Sequence, residues 1–169
     1  MFRLKLTCLI CFLLLAALPG SAQGDRGKSE LSTPKGPMTV EYGKPQLKGR
    51  DPLSMQQDGQ YWRMGSNAMT TWKTPVELTF GTTKVPAGNY GLWLLRNGKT
   101  YELVFNQVTD GMGMVHDKAK DVATVPLKQG AAGAPVEALT LELKGAPGGG
   151  VFSVAWGTLS LSTDFKFAK

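Results

Sequence analysis

The sequence predicts an all-β fold: an antiparallel β-sandwich in a single domain, with a jelly roll or an open barrel as the alternative. Three observations predict it. Apolar residues recur at every second position along most of the chain, the period of a strand with one buried and one wet face. Gly- and Pro-rich turns separate these runs at regular spacing. No segment carries the broad apolar stripe of an amphipathic helix.

The chain opens with Arg3 and Lys5, followed by an apolar run from Leu6 to Leu18. Pro19-Gly20 breaks that run, and Gly20-Ser21-Ala22 offers the small residues of a cleavage site. A run of about 13 apolar residues falls short of the roughly 20 that a spanning helix needs. Residues 1–22 therefore read as a cleavable signal peptide, with a periplasmic or secreted product and no membrane span after cleavage. Both cysteines, Cys8 and Cys11, lie inside this segment, and neither sits in a lipobox. The remainder has no Cys, hence no disulfide, no thiolate nucleophile and no Cys-ligated metal. Residues 23–36 are polar and aperiodic and read as a flexible leader. The β-domain is expected over 37–169.

Within that domain, Val76, Leu78 and Phe80 alternate with Glu77 and Thr79. Tyr90–Arg96 and Lys99–Asn106 flank Asn97-Gly98, a pair suited to a type I′ hairpin turn. The implied register opposes Tyr90 to Phe105, Leu92 to Leu103 and Leu94 to Tyr101, all on one face. It also opposes Arg96 to Lys99, a like-charge cost that leaves a longer loop open. Leu139, Leu141 and Leu143 form the next alternation, then Phe152, Val154 and Trp156, then Leu159, Leu161, Phe165 and Phe167. Some eight short strands result, and Pro52 to Gln57 supplies at most one helical turn.

The chain carries a formal charge of +6, but its Lys and Arg residues are scattered and not interleaved with aromatics. Nucleic acid binding requires a concentrated basic footprint, so no nucleic acid partner is expected.

Several stretches have a more specific look. Val40-Glu41-Tyr42-Gly43-Lys44-Pro45 is followed by Lys48-Gly49-Arg50, then by Tyr61-Trp62-Arg63-Met64-Gly65-Ser66-Asn67 with Thr70 and Thr71. Val85-Pro86-Ala87-Gly88-Asn89-Tyr90-Gly91-Leu92 comes next, and Phe105-Asn106 ends the hairpin. From about Thr39 to Phe167 the chain resembles DUF2911, a bacterial family of exported proteins of unknown function. It departs from the common pattern at Ala68, where many members carry an acid, and at Met112, where many carry Trp. The resemblance implies export and a β-rich fold, and no known reaction.

Two groups of residues are candidates for a site. On a strand, Trp62 and Arg63 point to opposite faces, so one can pack while the other reaches a pocket. Arg63 could then grip a carboxylate, phosphate or sugar hydroxyl through its planar fork, with Asn67 beside it. The preferred alternative has Arg63 paired to an internal carboxylate while Gly65 and Asn67 shape a turn. His116, the only histidine, could serve as a general base if Asp121 or Glu102 oriented it. The preferred alternative is an exposed loop histidine before a turn-forming Asp117.

One His and no Cys argue against a zinc or copper site, and no metal or cofactor is expected. Gly111-x-Gly113 lacks the third glycine and the helix of a dinucleotide fingerprint. Glu77, Glu102 and Glu142 fall on wet faces. Trp93 could offer a stacking platform, but the preferred account is a second sheet packed over that face, where Leu95 and Val104 also lie.

These readings favour a non-catalytic extracytoplasmic binding or envelope-associated module, taking an unknown small molecule or envelope component. Trp62, Arg63, Asn67 and His116 are its candidate binding residues, and no catalytic residue is assigned. The alternative is a small hydrolase with His116 as base.

Overall fold

A computed structural model describes residues 25–52, 56–131 and 133–168. The expected signal peptide lies outside them, as does half of the Pro52–Gln57 turn. Among the described residues there are twelve strands. They are β1 (Arg26–Thr33), β2 (Gly36–Gly43), β3 (Tyr61–Trp62), β4 (Thr71–Thr74), β5 (Leu78–Phe80), β6 (Thr83–Val85), β7 (Gly88–Asn97), β8 (Thr100–Asn106), β9 (Asp121–Gln129), β10 (Val136–Ala146), β11 (Gly149–Gly157) and β12 (Leu159–Phe167). A single 3₁₀ turn, Lys118–Lys120, precedes β9. No helix among the described residues is long and apolar enough to cross a membrane.

The strands pair antiparallel in the order β1-β2-β4-β7-β8-β9-β12-β11-β10, with β3 added to β7 and the β5–β6 hairpin to β12. Two ladders are thereby joined through a short pairing of Leu161 with Gln129 and Ser162 with Lys128. The ends of the order, β1 and β10, lie side by side. Leu47 N–H donates to the Glu137 carbonyl and Leu139 N–H to Pro45, while the Leu143 N–H donates to Ser29 Oγ. The sheet thus nearly closes into a barrel, the form named beside the sandwich, and few edge groups are left open.

The core fills this barrel because the alternating residues all point inward. Trp72 of β4 is fully buried. Phe80, Phe105, Phe152 and Phe165 surround it from both ladders at ring separations of 5.0 to 6.2 Å, in the tilted and edge-on geometries that aromatic quadrupoles favour. Leu139, Leu141, Val154, Trp156, Leu159 and Leu161 complete the packing.

Three expectations need correction. Residues 26–33 are not a leader but β1, paired with β2 from Arg26–Gly43 to Thr33–Gly36. Its inward positions are Gly27, Ser29, Leu31 and Thr33, so the strand alternates in burial while hardly alternating in hydrophobicity. The β7–β8 register is offset by two residues: Leu92 opposes Phe105, Leu94 opposes Leu103 and Arg96 opposes Tyr101. Asn97 and Thr100 close the hairpin, and Gly98, at φ 60°, takes the first loop position, as in a type II′ turn. This register removes the Arg96–Lys99 clash and leaves every side chain on its expected face. The strand count also rises from about eight to twelve, because β1, β3 and β6 are too short or too polar to show a period.

Candidate functional site beside β3

β3 is two residues long and adds to the end of β7, Tyr61 opposite Leu95 and Trp62 opposite Leu94. Its two side chains diverge as the strand period requires. Trp62 lies over the main core and stacks on buried Trp156 at 5.4 Å, 19° from parallel. Tyr61 falls on the other face, over a small cluster of Met69, Trp93 and Val104. That cluster is what covers Trp93, which is 3% exposed; the covering layer is β3 and a loop, not a second sheet.

After β3 the chain turns sharply. Met64 and Asn67 both adopt left-handed conformations, at φ 50° and 62°. Met64 is fully buried and its carbonyl accepts from the Thr70 hydroxyl at 2.9 Å. Asn67 stands exposed on the turn and lines neither of the two hollows that border β3. Neither of these hollows brings Asn67 together with Arg63.

Arg63 is placed differently from either expectation. Among the described residues no carboxylate lies within ion-pair distance of it. Its Nη1 donates to the Met112 carbonyl and lies 3.3 Å from Met114 Sδ. Its Nε is buried and has no hydrogen-bond partner. The guanidinium sits against a groove of about 180 Å³ lined by Tyr61, Trp62, Arg63, Gly65, Gly113 and Met114. On the other side of β3, a hollow of about 140 Å³ is lined by Pro52, Gln56, Gln60, Tyr61, Trp62 and Trp156. Tyr61 and Trp62 border both.

The opposite wall is the loop between β8 and β9. It is held at both ends. Asn106, fully buried, receives the Val108 N–H on Oδ1 at 2.9 Å, and its Nδ2 donates to the Asp117 carbonyl and to Asp121 Oδ1. The Met69 N–H donates to the Gly111 carbonyl at 3.0 Å. Gly113 must be a glycine here: a Cβ on it would lie 2.6 Å from Met69 Sδ and 3.0 Å from Arg63 Cδ.

His116 is not the exposed loop residue expected of it. Its side chain is 6% exposed, and Nε2 lies 2.8 Å from Asp121 Oδ1. Tyr61 stacks on the imidazole at 3.6 Å, and Trp93 meets it edge-on at 5.1 Å. Asp121 is one of the two partners named from the sequence; Asn106, which holds the same carboxylate, was missed as a site residue. A carboxylate-oriented imidazole can act as a base, but this one lines neither hollow. Its neighbours give it the work of a staple. Tyr61 feels the same acids: burial first, then the charges of Asp121 and Glu102, push its phenol above the ordinary value.

The remaining candidates do not assemble. Glu77 pairs with Lys84 at 3.4 Å, and Glu142 is exposed on β10. A larger hollow of about 410 Å³ opens where β9 and β12 diverge, bordered by Phe80, Val125, Leu127 and Thr163. The charged groups on its rim, Lys128 and Asp164, neutralise each other at 2.9 Å.

Fold and site together define a single-domain, all-β protein whose antiparallel sheet nearly closes and carries a cationic groove beside a short edge strand. The chain belongs to the protein family of unknown function DUF2911, whose model matches residues 27–165. That span takes in β1 from Gly27 onward and starts twelve residues before the earliest resemblance seen in the sequence. No curated protein and no solved structure matches the chain.

Proposed function

We propose that this protein is a non-catalytic binding module that works outside the cytoplasm and holds a small anion-bearing ligand between β3 and the 108–117 loop. One observation carries the reading: Arg63 lies against the groove with a guanidinium that no carboxylate among the described residues neutralises. A half-buried arginine without an internal counter-ion gains most from an external one, because its fork matches a carboxylate or phosphate edge bidentately. Trp62, braced by Trp156, supplies a flat apolar wall beside it. Export is supported by the pattern of residues 1–22 and by the lack of cysteine after Cys11.

The hydrolase reading draws support from the 2.8 Å contact of His116 with Asp121. Enclosure of the imidazole between Tyr61 and Trp93 counts against it. A thermal-shift screen of carboxylated and phosphorylated small molecules tests the proposal. Hits should be lost in Arg63→Ala and only weakened in His116→Ala, which loosens the loop wall but leaves the guanidinium in place. Turnover of a hit that depends on His116 would favour the hydrolase, and hits indifferent to Arg63 would remove the groove from consideration.

A further inference from the structure

Burial divides the methionines among the described residues sharply. Met38 and Met64 are fully buried and Met69 is 3% exposed, whereas Met112 is 60% and Met114 74% exposed. Both exposed ones belong to the loop between β8 and β9. No cysteine follows Cys11, so beyond that point thioethers are the only sulfur an oxidant can meet, and their reaction follows exposure. Of the exposed pair, Met114 is the one whose sulfur sits at the groove. Its Sδ lies 3.3 Å from Arg63 Nη1, and its side chain helps line the hollow. Met112 gives Arg63 its backbone carbonyl instead. As it stands, the sulfur contact is weak, because a thioether is a poor acceptor. The guanidinium has no carboxylate partner among the described residues to make up for it.

We infer that Met114 is a modification site: its sulfoxide caps Arg63 and withdraws the guanidinium from the groove. A peroxide supplies the chemistry. The Met114 sulfur attacks one oxygen of hydrogen peroxide, the O–O bond breaks and an S–O bond forms. The displaced hydroxide takes the proton of the transferred hydroxyl and leaves as water, so the sulfur is oxidised and the peroxide reduced by two electrons. The product exchanges a weak acceptor for a polar S–O group whose oxygen accepts hydrogen bonds strongly. Little has to move to bring that oxygen onto Arg63. The Arg63–Met112 and Met69–Gly111 bonds already hold the loop backbone against the groove, and only an exposed side chain must turn. A neutral acceptor in that place competes with an anion for the same donors. Added bulk works the same way in a groove of about 180 Å³. Methionine sulfoxide is reduced enzymatically, so the cap is reversible. The inference rests on the groove reading for its consequence and not for the cap itself.

Titration with hydrogen peroxide tests this on the protein as purified from cells. Peptide mass spectrometry reads oxidation at each methionine, and the ¹⁵N resonance of the Arg63 Nε–H reads the guanidinium, assigned as the cross-peak missing from Arg63→Ala. Sulfoxide should form at Met112 and Met114 while Met38, Met64 and Met69 stay reduced and the melting temperature holds. The Arg63 resonance should shift on oxidation in the wild type and in Met112→Leu but not in Met114→Leu, and methionine sulfoxide reductase should reverse the shift. Inorganic phosphate is the probe of the groove, each protein being compared with itself before treatment. Its affinity should fall about three- to tenfold on oxidation of the wild type, the worth of one hydrogen bond, and not change in Met114→Leu. Sulfoxide appearing first at the buried methionines overturns the inference, as does an Arg63 resonance that ignores oxidation of Met114. So does a shift that survives in Met114→Leu, or a phosphate affinity that oxidation leaves unchanged. Unoxidised protein whose Arg63 resonance ignores phosphate would count against the groove reading instead, while the oxidation response of the same resonance decides the cap.

Discussion

The imidazole of His116 lies face to face with the ring of Tyr61, 3.6 Å away and 13° from parallel. One ring belongs to the short edge strand and the other to the β8–β9 loop, so their contact ties the two walls of the groove together. Asp121, at the start of β9, holds the far side of the imidazole.

His116→Ala should therefore loosen the loop more than the barrel. Losing a buried hydrogen bond to a carboxylate costs about 1–3 kcal/mol. Urea unfolding should show a loss of that size, and amide exchange should rise chiefly over residues 108–116. Unchanged exchange there would mean that the other loop bonds suffice.

Alkaline titration probes the other ring. The phenol of Tyr61 is raised by burial and by Asp121 and Glu102, so the folded state favours its neutral form. A raised value in the folded protein means stability that is complete below the unfolded tyrosine value of about 10 and is lost as pH climbs through the folded one. Burial raises Tyr90 in the same direction. Melting temperature should fall as pH rises above about 10, and Tyr61→Phe should flatten part of that fall.

The face assignments can be checked on one strand. Leu141 is 2% exposed, and its truncation to Ala should cost about 2–5 kcal/mol through lost burial and a residual cavity. Glu142, the next residue, points outward, and Glu142→Ala should stay within about ±0.5 kcal/mol. Chemical denaturation of the two variants separates them.

Gly98 governs the central hairpin. It occupies φ 60° with open space around it, so the penalty for adding a Cβ is conformational and not steric against neighbours. Gly98→Ala should destabilise by about 1–2 kcal/mol, while Lys99→Ala, outside the left-handed region, should be near neutral. Thermal melts of both variants test the II′ assignment.

The faces of β7 and β8 were legible because side-chain direction has a period of two. The register was not, because a shift of two residues leaves the same side chains on the same face. Only the Arg96–Lys99 repulsion hinted at the offset. β1 escaped notice for a different reason. Its inward residues include Gly27, which rests against the Tyr42 ring, and Ser29, whose hydroxyl closes the barrel to Leu143. A strand that contributes a ring seat and a hydrogen bond in place of apolar bulk leaves no hydrophobic period to read. In the site, Arg63, Trp62 and His116 stood out by residue type. The Asn106 clamp did not, since an asparagine at a strand end reads as punctuation, and its bonds depend on a loop conformation that local sequence does not encode.

The most direct measurement is a ¹H–¹⁵N chemical-shift titration of the wild type and Arg63→Ala with an anionic hit from the thermal-shift screen. Shifts in the wild type should cluster at Tyr61–Gly65 and Gly113–Met114 and vanish in Arg63→Ala. Shifts centred instead on Phe80, Val125 and Thr163, or a pattern that survives loss of the guanidinium, would contradict a ligand groove beside β3.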